Sequence, residues 1–330
     1  MSAHHLKFGL ILPLGNFAEA KAMVQRAEDS GFYAIAAEDH FFMTGLMGTD
    51  RFSPRLECFT VLSALSTLTQ RLVLTQLVAA NSFRHPALTA KIVSSLHHIT
   101  GGRVELGIGA GWFREEYEAF GFPYPPPRER VAQLAEALTV IKKLWVEDEA
   151  TFEGRYYRLQ NAPHSPKPQP RPRIMLGGGG RPLLRLAARE ADVINIIPPF
   201  GGALGRLTME ETVKFDLSAF AERVSFFRAA CKELGRDPEE VELSAMVYVV
   251  IGESPAQARS FAEAMAQALG VNDLEAVYRS PNTLVGTVEQ VADEVHRRKE
   301  EMGVTYFFCH FPVQEMFERF CREVVPRLVR

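Results

Sequence analysis

The stretch that decides the fold begins Arg71-Leu-Val-Leu-Thr-Gln-Leu-Val-Ala-Ala80, followed by Asn81-Ser-Phe-Arg-His-Pro86. After a helical run come Gly101-Gly102 and Arg103-Val-Glu-Leu-Gly-Ile108. Residues 71–80 are rich in Val and Leu and read as a strand. Pro86 opens a helix at a position where a missing N–H costs nothing, and the two glycines end it. Residues 103–108 read as the next strand. Most strands of the chain are continuously apolar, as expected when helices cover both faces of a parallel sheet.

The same alternation extends in both directions. Residues 6–13 and 32–37 read as the first two strands, separated by a helix over 18–30 that stops at Gly31. A helix over 56–69 leads into the quoted unit. Beyond it, a long helix over 128–145 follows three prolines. Residues 151–159 form a small β-excursion, and the Pro-rich run 162–172 is an extended loop. Strands at 173–176 and 191–197 flank a helix ending at Glu190. The last two units place strands at 241–251 and 304–311, with helices over 217–234, 255–269, 288–302 and 315–328.

Eight strands alternate with helices, and no GxGxxG follows the first strand. This favours a closed (β/α)8 TIM barrel over an open doubly wound sheet. No shift in composition marks a boundary, so residues 1–330 are read as one domain, with an insertion around 198–215.

Charge and cysteine usage narrow the function. Apolar residues make up 47% of the chain, charged residues 23%, and the net charge is −3. Nothing here points to nucleic acid or an anionic membrane as partner. The four cysteines, Cys58, Cys231, Cys309 and Cys321, form no CxxC pair and no zinc-spaced cluster with histidine. No metal site is expected, and the chain is expected to be cytoplasmic. Cys58 and Cys309 lie in apolar runs and read as core residues.

In a barrel, chemistry sits where strands end. Glu38-Asp39-His40 follow the second strand, and His40 is the best acid–base candidate, because imidazole titrates near neutrality. Asp39 or Glu38 would orient it. The run Gly177-Gly178-Gly179-Gly180 follows the fifth strand and opens a helix near Arg181. Glycines let backbone N–H groups approach a phosphate, the helix dipole assists, and Arg181 would add charge. Gly178→Val is then expected to weaken phosphate binding with the fold intact. Gly107, Gly109 and Gly111, with Trp112, suit either a flat aromatic ligand or close strand packing.

These residues also carry a resemblance. Gly107-Ile-Gly-Ala-Gly-Trp-Phe-Arg-Glu-Glu-Tyr117, Ala119-Phe-Gly121, Arg128-Glu-Arg130, Phe152-Glu-Gly-Arg-Tyr-Tyr157 and Ile174-Met-Leu-Gly-Gly-Gly-Gly180 resemble the luciferase-like monooxygenases, closest to their coenzyme F420-dependent branch. The resemblance implies FMN or the deazaflavin F420 at the barrel mouth. It also implies a small organic substrate, a homodimer, and a flavin or F420 reductase as partner. It places Asp39 and His40 at the cofactor ring, with His40 as the catalytic, proton-handling residue. Ala79 and Asn81 lie where a bulged third strand passes under that ring. Gly107, Gly109, Gly111 and Trp112 match the fourth-strand loop, and Gly177 to Gly180 with Arg181 match the phosphate loop. One departure bears on activity: some deazaflavin dehydrogenases carry an acidic residue where this chain has Trp112, so sugar-phosphate dehydrogenation is not expected. Three functions remain open. They are F420-dependent hydride transfer, FMN-dependent two-component monooxygenation, and flavin binding without catalysis.

Overall fold

A computed structural model describes residues 4–43, 50–198, 215–268 and 270–329. Its main sheet has ten strands. They are β1 (Lys7–Ile11), β2 (Ala34–Ala37), β3 (Val73–Gln76), β4 (Ala79–Ala80), β5 (Glu105–Gly109), β8 (Arg173–Gly177), β9 (Val193–Asn195), β10 (Glu242–Ile251), β11 (Thr283–Gly286) and β12 (Val304–His310). A separate antiparallel hairpin, β6 (Glu149–Glu153) and β7 (Arg158–Pro163), is the expected excursion.

All pairings in the main sheet are parallel, and β1 is flanked by β2 and β12. A bridge between Leu74 and Val104 joins β3 to the start of β5 and closes the ring. Strands β3 and β4 are one stave interrupted at Leu77-Val78, and β11 pairs only with β10. Ten strands, less one for the interruption and one for β11, leave eight staves. This is the (β/α)8 barrel expected from the alternation.

The helices begin and end where local chemistry dictates. Helix α1 (Phe17–Ser30) is capped by Asn16, whose side chain accepts from the Ala18 and Glu19 N–H groups, and Gly31 ends it at φ 87°. Helix α2 (Cys58–Ser66) is capped by Glu57, and the first residue of helix α3 (Pro86–Thr100) is proline, capped by His85. The further helices that matter to the site are α4 (Arg114–Phe120), α5 (Pro127–Val146), α6 (Arg181–Glu190) and α7 (Leu217–Glu233). The C-terminal helix runs on from Gln314 through a π turn at Phe320–Val324. There Phe320 meets Phe8 of β1 edge to face, with ring centroids 5.0 Å apart.

Two segments depart from the sequence reading. The third strand is broken, because residues 77–78 leave the ladder and turn into the barrel. Residues 274–286, given no element in the sequence reading, form a short helix and β11. The expected insertion around 198–215 falls largely on 199–214, outside the described residues. Among the described residues, no helix is long and apolar enough to cross a membrane.

The barrel interior is layered. At the N-terminal end, Lys7, Glu105, Arg173 and Glu242 are the first residues of their strands. Lys7 pairs with Glu242 at 2.8 Å, and Arg173 bridges Glu105 at 3.1 Å and Glu242 at 2.9 Å. Above them lies an apolar layer that includes Ile11, Ala36, Met175, Val193 and Phe308. Burial pushes the Glu242 carboxyl up, but Lys7 and Arg173 outweigh it and hold it below the ordinary range. A depressed carboxyl adds stability above its unfolded value, about 4.3, and that stability is lost as pH falls through the folded value. Glu242→Gln should therefore cost about 1–3 kcal/mol at neutral pH, because it takes the carboxylate from the half-buried Lys7 and leaves Arg173 with Glu105 alone. Urea denaturation at stepped pH should show the gap to the parent closing below the ordinary glutamate range; a gap independent of pH would refute the assignment.

Candidate functional site

A cavity of about 430 Å³ opens at the C-terminal ends of the strands. That volume suits a small-molecule ligand. The inward turn of the third stave forms part of its lining. Leu77 and Val78 line the cavity, as do Ala79 and Ala80. The facing staves have glycine where Val78 intrudes. A Cβ on Gly109 would lie 2.8 Å from Val78 Cγ2, and one on Gly177 would lie 2.9 Å from Val78 Cγ1. On Gly107 it would strike the Gln76 carbonyl, and on Gly111 the Tyr117 hydroxyl. Close packing accounts for the absence of side chains at these glycines, because the protein itself fills the space a Cβ would take. Gly107 does not line the cavity, whereas Gly109, Gly111 and Trp112 do.

His40 lines the cavity, and its partner is a residue the sequence reading missed. Its Nδ1 lies 2.7 Å from Oε2 of Glu116 on α4. Glu116 is only 1% exposed. Its other oxygen accepts from the backbone N–H of Phe41 at 2.5 Å and of Phe42 at 3.2 Å. The carboxylate thus fixes both the imidazole and the loop that carries it. The imidazole also meets Trp112 edge to face, centroids 5.6 Å apart. Glu116 lies inside the quoted glycine-loop motif, so its place just after the fourth strand was the available signal.

Neither acidic neighbour orients His40 as expected. Asp39 is buried and makes a two-pronged pair with Arg84, at 2.6 and 2.9 Å. It also accepts from the Ala80 N–H at 2.9 Å and from the Cys58 thiol at 3.3 Å. Asp39 therefore ties the second stave to the third just beyond the inward turn. Glu38 pairs with Arg55 at 2.5 Å. Burial raises the Glu38 carboxyl, but Arg55 and then His40 outweigh it, leaving it below its ordinary value. Burial also raises the phenol of Tyr248, a second cavity-lining group that the sequence reading missed.

Gly177, Gly178, Gly179 and Gly180 all line the cavity, and Gly180 caps α6. Two expected contacts lie elsewhere. The Arg181 guanidinium sits over Phe226 of α7, 5.1 Å from the ring centroid, and the residue does not line the cavity. The buried Asn81 donates to the Tyr157 hydroxyl at 3.0 Å and is likewise outside the lining.

Architecture and mouth together are those of a barrel enzyme. The chain belongs to the luciferase-like monooxygenase family, whose model matches residues 6–280. It is 26% identical over 338 residues to the FMNH(2)-dependent dimethylsulfone monooxygenase of Pseudomonas putida, covering 94% of this chain and 87% of that one. It is 34% identical over 170 residues to the F420-dependent glucose-6-phosphate dehydrogenase of Intrasporangium calvum, covering 51% of this chain and 50% of that one. The solved structure of an F420-dependent secondary alcohol dehydrogenase with an F420-acetone adduct shares the fold. Its TM-score is 0.79 at 18% identity, over 99% of this chain and 98% of that one. The family has FMN-dependent and F420-dependent members, and these relatives are enzymes.

The residues present fit such a cofactor. The glycine run and the start of α6 offer backbone donors to a phosphate, and Val78, Ala79 and Trp112 offer apolar surface to a ring. The glycines are not equivalent as probes, however. Gly178 has φ +152°, and a Cβ there would strike Leu183. Gly178→Val would therefore strain the fold itself, contrary to the expectation above. At Gly180 φ is −76°, and a Cβ would come no nearer than 4.0 Å, to Pro182 Cδ. Gly180→Val should keep the parent melting temperature within a few degrees. Its side chain should keep a phosphate from closing on the backbone N–H groups and weaken a phosphate-bearing cofactor about tenfold to a hundredfold, the range expected when a charge-assisted hydrogen bond cannot form. Unchanged affinity by fluorescence titration would remove the phosphate from this loop.

Proposed function

We propose that this protein transfers hydride between bound coenzyme F420 and a small, uncharged organic substrate, with His40 handling the accompanying proton. The observation that carries the reading is the His40–Glu116 pair at the cavity. Glu116 engages Nδ1, so Nε2 is the nitrogen left for the substrate. Oxidation of an alcohol removes one hydride from carbon and one proton from oxygen. Nε2 takes that proton as the carbonyl forms, and returns it in the reverse direction. A bound deazaflavin supplies the hydride acceptor or donor, and reacts poorly with O₂ because it has carbon where a flavin has its reactive N5.

The lining supports an uncharged substrate. Glu38 and Asp39 are each committed to an arginine, and Glu116 to His40. Much of the remaining wall is apolar, including Met246, Met265, Val271 and Val277. A second reading, FMN-dependent two-component monooxygenation with a flavin reductase as partner, is favoured by the dimethylsulfone monooxygenase that aligns with 94% of the chain.

Titrating the apo-protein with both cofactors separates the two readings. Tight F420 binding with much weaker FMN binding is expected; tight FMN binding with no detectable F420 binding sinks the first reading and supports the second. In the F420-loaded protein, His40→Asn should leave cofactor affinity near normal and slow turnover by ~10²–10⁴. Turnover unchanged at unchanged affinity would return His40 to a structural role.

A further inference from the structure

One cation at the mouth is set apart by its partners. Arg130 of α5 is 6% exposed and lines the cavity. Its Nε donates to the Gly111 carbonyl at 3.2 Å, and its Nη1 to the Pro125 carbonyl at 2.6 Å. Its guanidinium lies over the Tyr124 ring, 4.0 Å from the centroid. Among the described residues, no carboxylate pairs with it. The arginines that hold Glu38 and Asp39 each have an opposite charge within 2.6 Å. A buried cation satisfied only by neutral groups is costly, and an anion brought by a ligand would offset that cost. Guanidinium is well matched to phosphate, because its planar fork offers two parallel N–H donors.

The position matches the chemistry. Strands β5 and β8 are adjacent, with Ile108 level with Leu176. A Cβ on Gly109 would lie 3.3 Å from the Gly177 carbonyl. The loop that Arg130 holds through Gly111 therefore starts against the glycine run. Arg130 reaches the shared cavity from the β5 side, and the start of α6 reaches it from the β8 side.

We propose that Arg130 supplies the counter-charge for the phosphate of the bound cofactor, the part the sequence reading gave to Arg181. The proposal rests on the reading that the cavity holds a phosphate-bearing flavin or deazaflavin. Removing one charge-assisted contact should weaken binding by about tenfold to a hundredfold.

The test compares matched ligands that differ in the phosphate: FMN against riboflavin, and coenzyme F420 against its phosphate-free chromophore. Binding is read by fluorescence for the parent, Arg130→Gln and Arg130→Lys. Arg130→Gln should lose affinity for the phosphate-bearing member of the pair and hold its affinity for the other. Arg130→Lys, gentler on the loop, should shift the same ratio in the same direction by less. An equal loss for both members would mean that Arg130 only holds the Gly111 and Pro125 carbonyls, and would overturn the proposal. No loss for either member would also overturn it, and would direct the charge to an anionic substrate. If the parent binds neither pair, the cofactor reading itself has failed, and that result is distinguishable from the other two.

Discussion

The mouth depends on one steric constraint, the intrusion of the third stave at Leu77-Val78 against two staves that carry glycine. An eight-stave barrel normally fills its interior with side chains from every strand. Here Val78 takes space that Gly109 and Gly177 leave open, and the Gln76 carbonyl occupies the place of a side chain on Gly107. A close-packed interior does not leave such gaps empty. The glycines and the intrusion therefore require each other, and together they set the surface on which a ligand can rest.

The polar groups above that surface are arranged around it. Asp39 spans from the second stave to the Ala80 N–H just beyond the intrusion, and Arg84 neutralises it. With Asp39 so engaged, the carboxylate that serves His40 comes from α4. Glu116 does three things at once, binding the imidazole and two successive backbone N–H groups. Because it is buried, each of those bonds is hard to replace with water. His40 is thus held in place by a helix on the far side of the glycine loop, which bonds loop, helix and histidine into one unit.

How much of this was legible in the sequence follows from the range of each signal. Apolar runs alternating with capped helices are local, and they predicted the staves, the Pro86 start and the Gly31 stop. The strand-end position of His40 and the glycine run after β8 were legible for the same reason. The break in the third stave was not legible from composition, because residues 71–80 contain no glycine or proline to mark it and the intrusion depends on glycines some thirty and a hundred residues away. The His40–Glu116 pair spans 76 positions, and two nearer acids offered themselves first. Arg181 follows the glycines directly in sequence, but its guanidinium lies over Phe226 of α7, a contact 45 positions away that no local pattern carries. The ion pairs of Lys7, Glu105, Arg173 and Glu242 read one at a time as ordinary strand-edge charges. Only ring closure makes them a single layer.

That layer has a consequence for traffic. Among the described residues, interlocked ion pairs and an apolar stratum plug one end of the barrel and leave the mouth as its opening. Every species in a catalytic cycle has to use the same doorway. Whatever lies deepest must enter first and leave last, and a proton released at His40 has no exit through the base. Sealing the base thus imposes an order of arrival and departure on the molecules that visit the mouth.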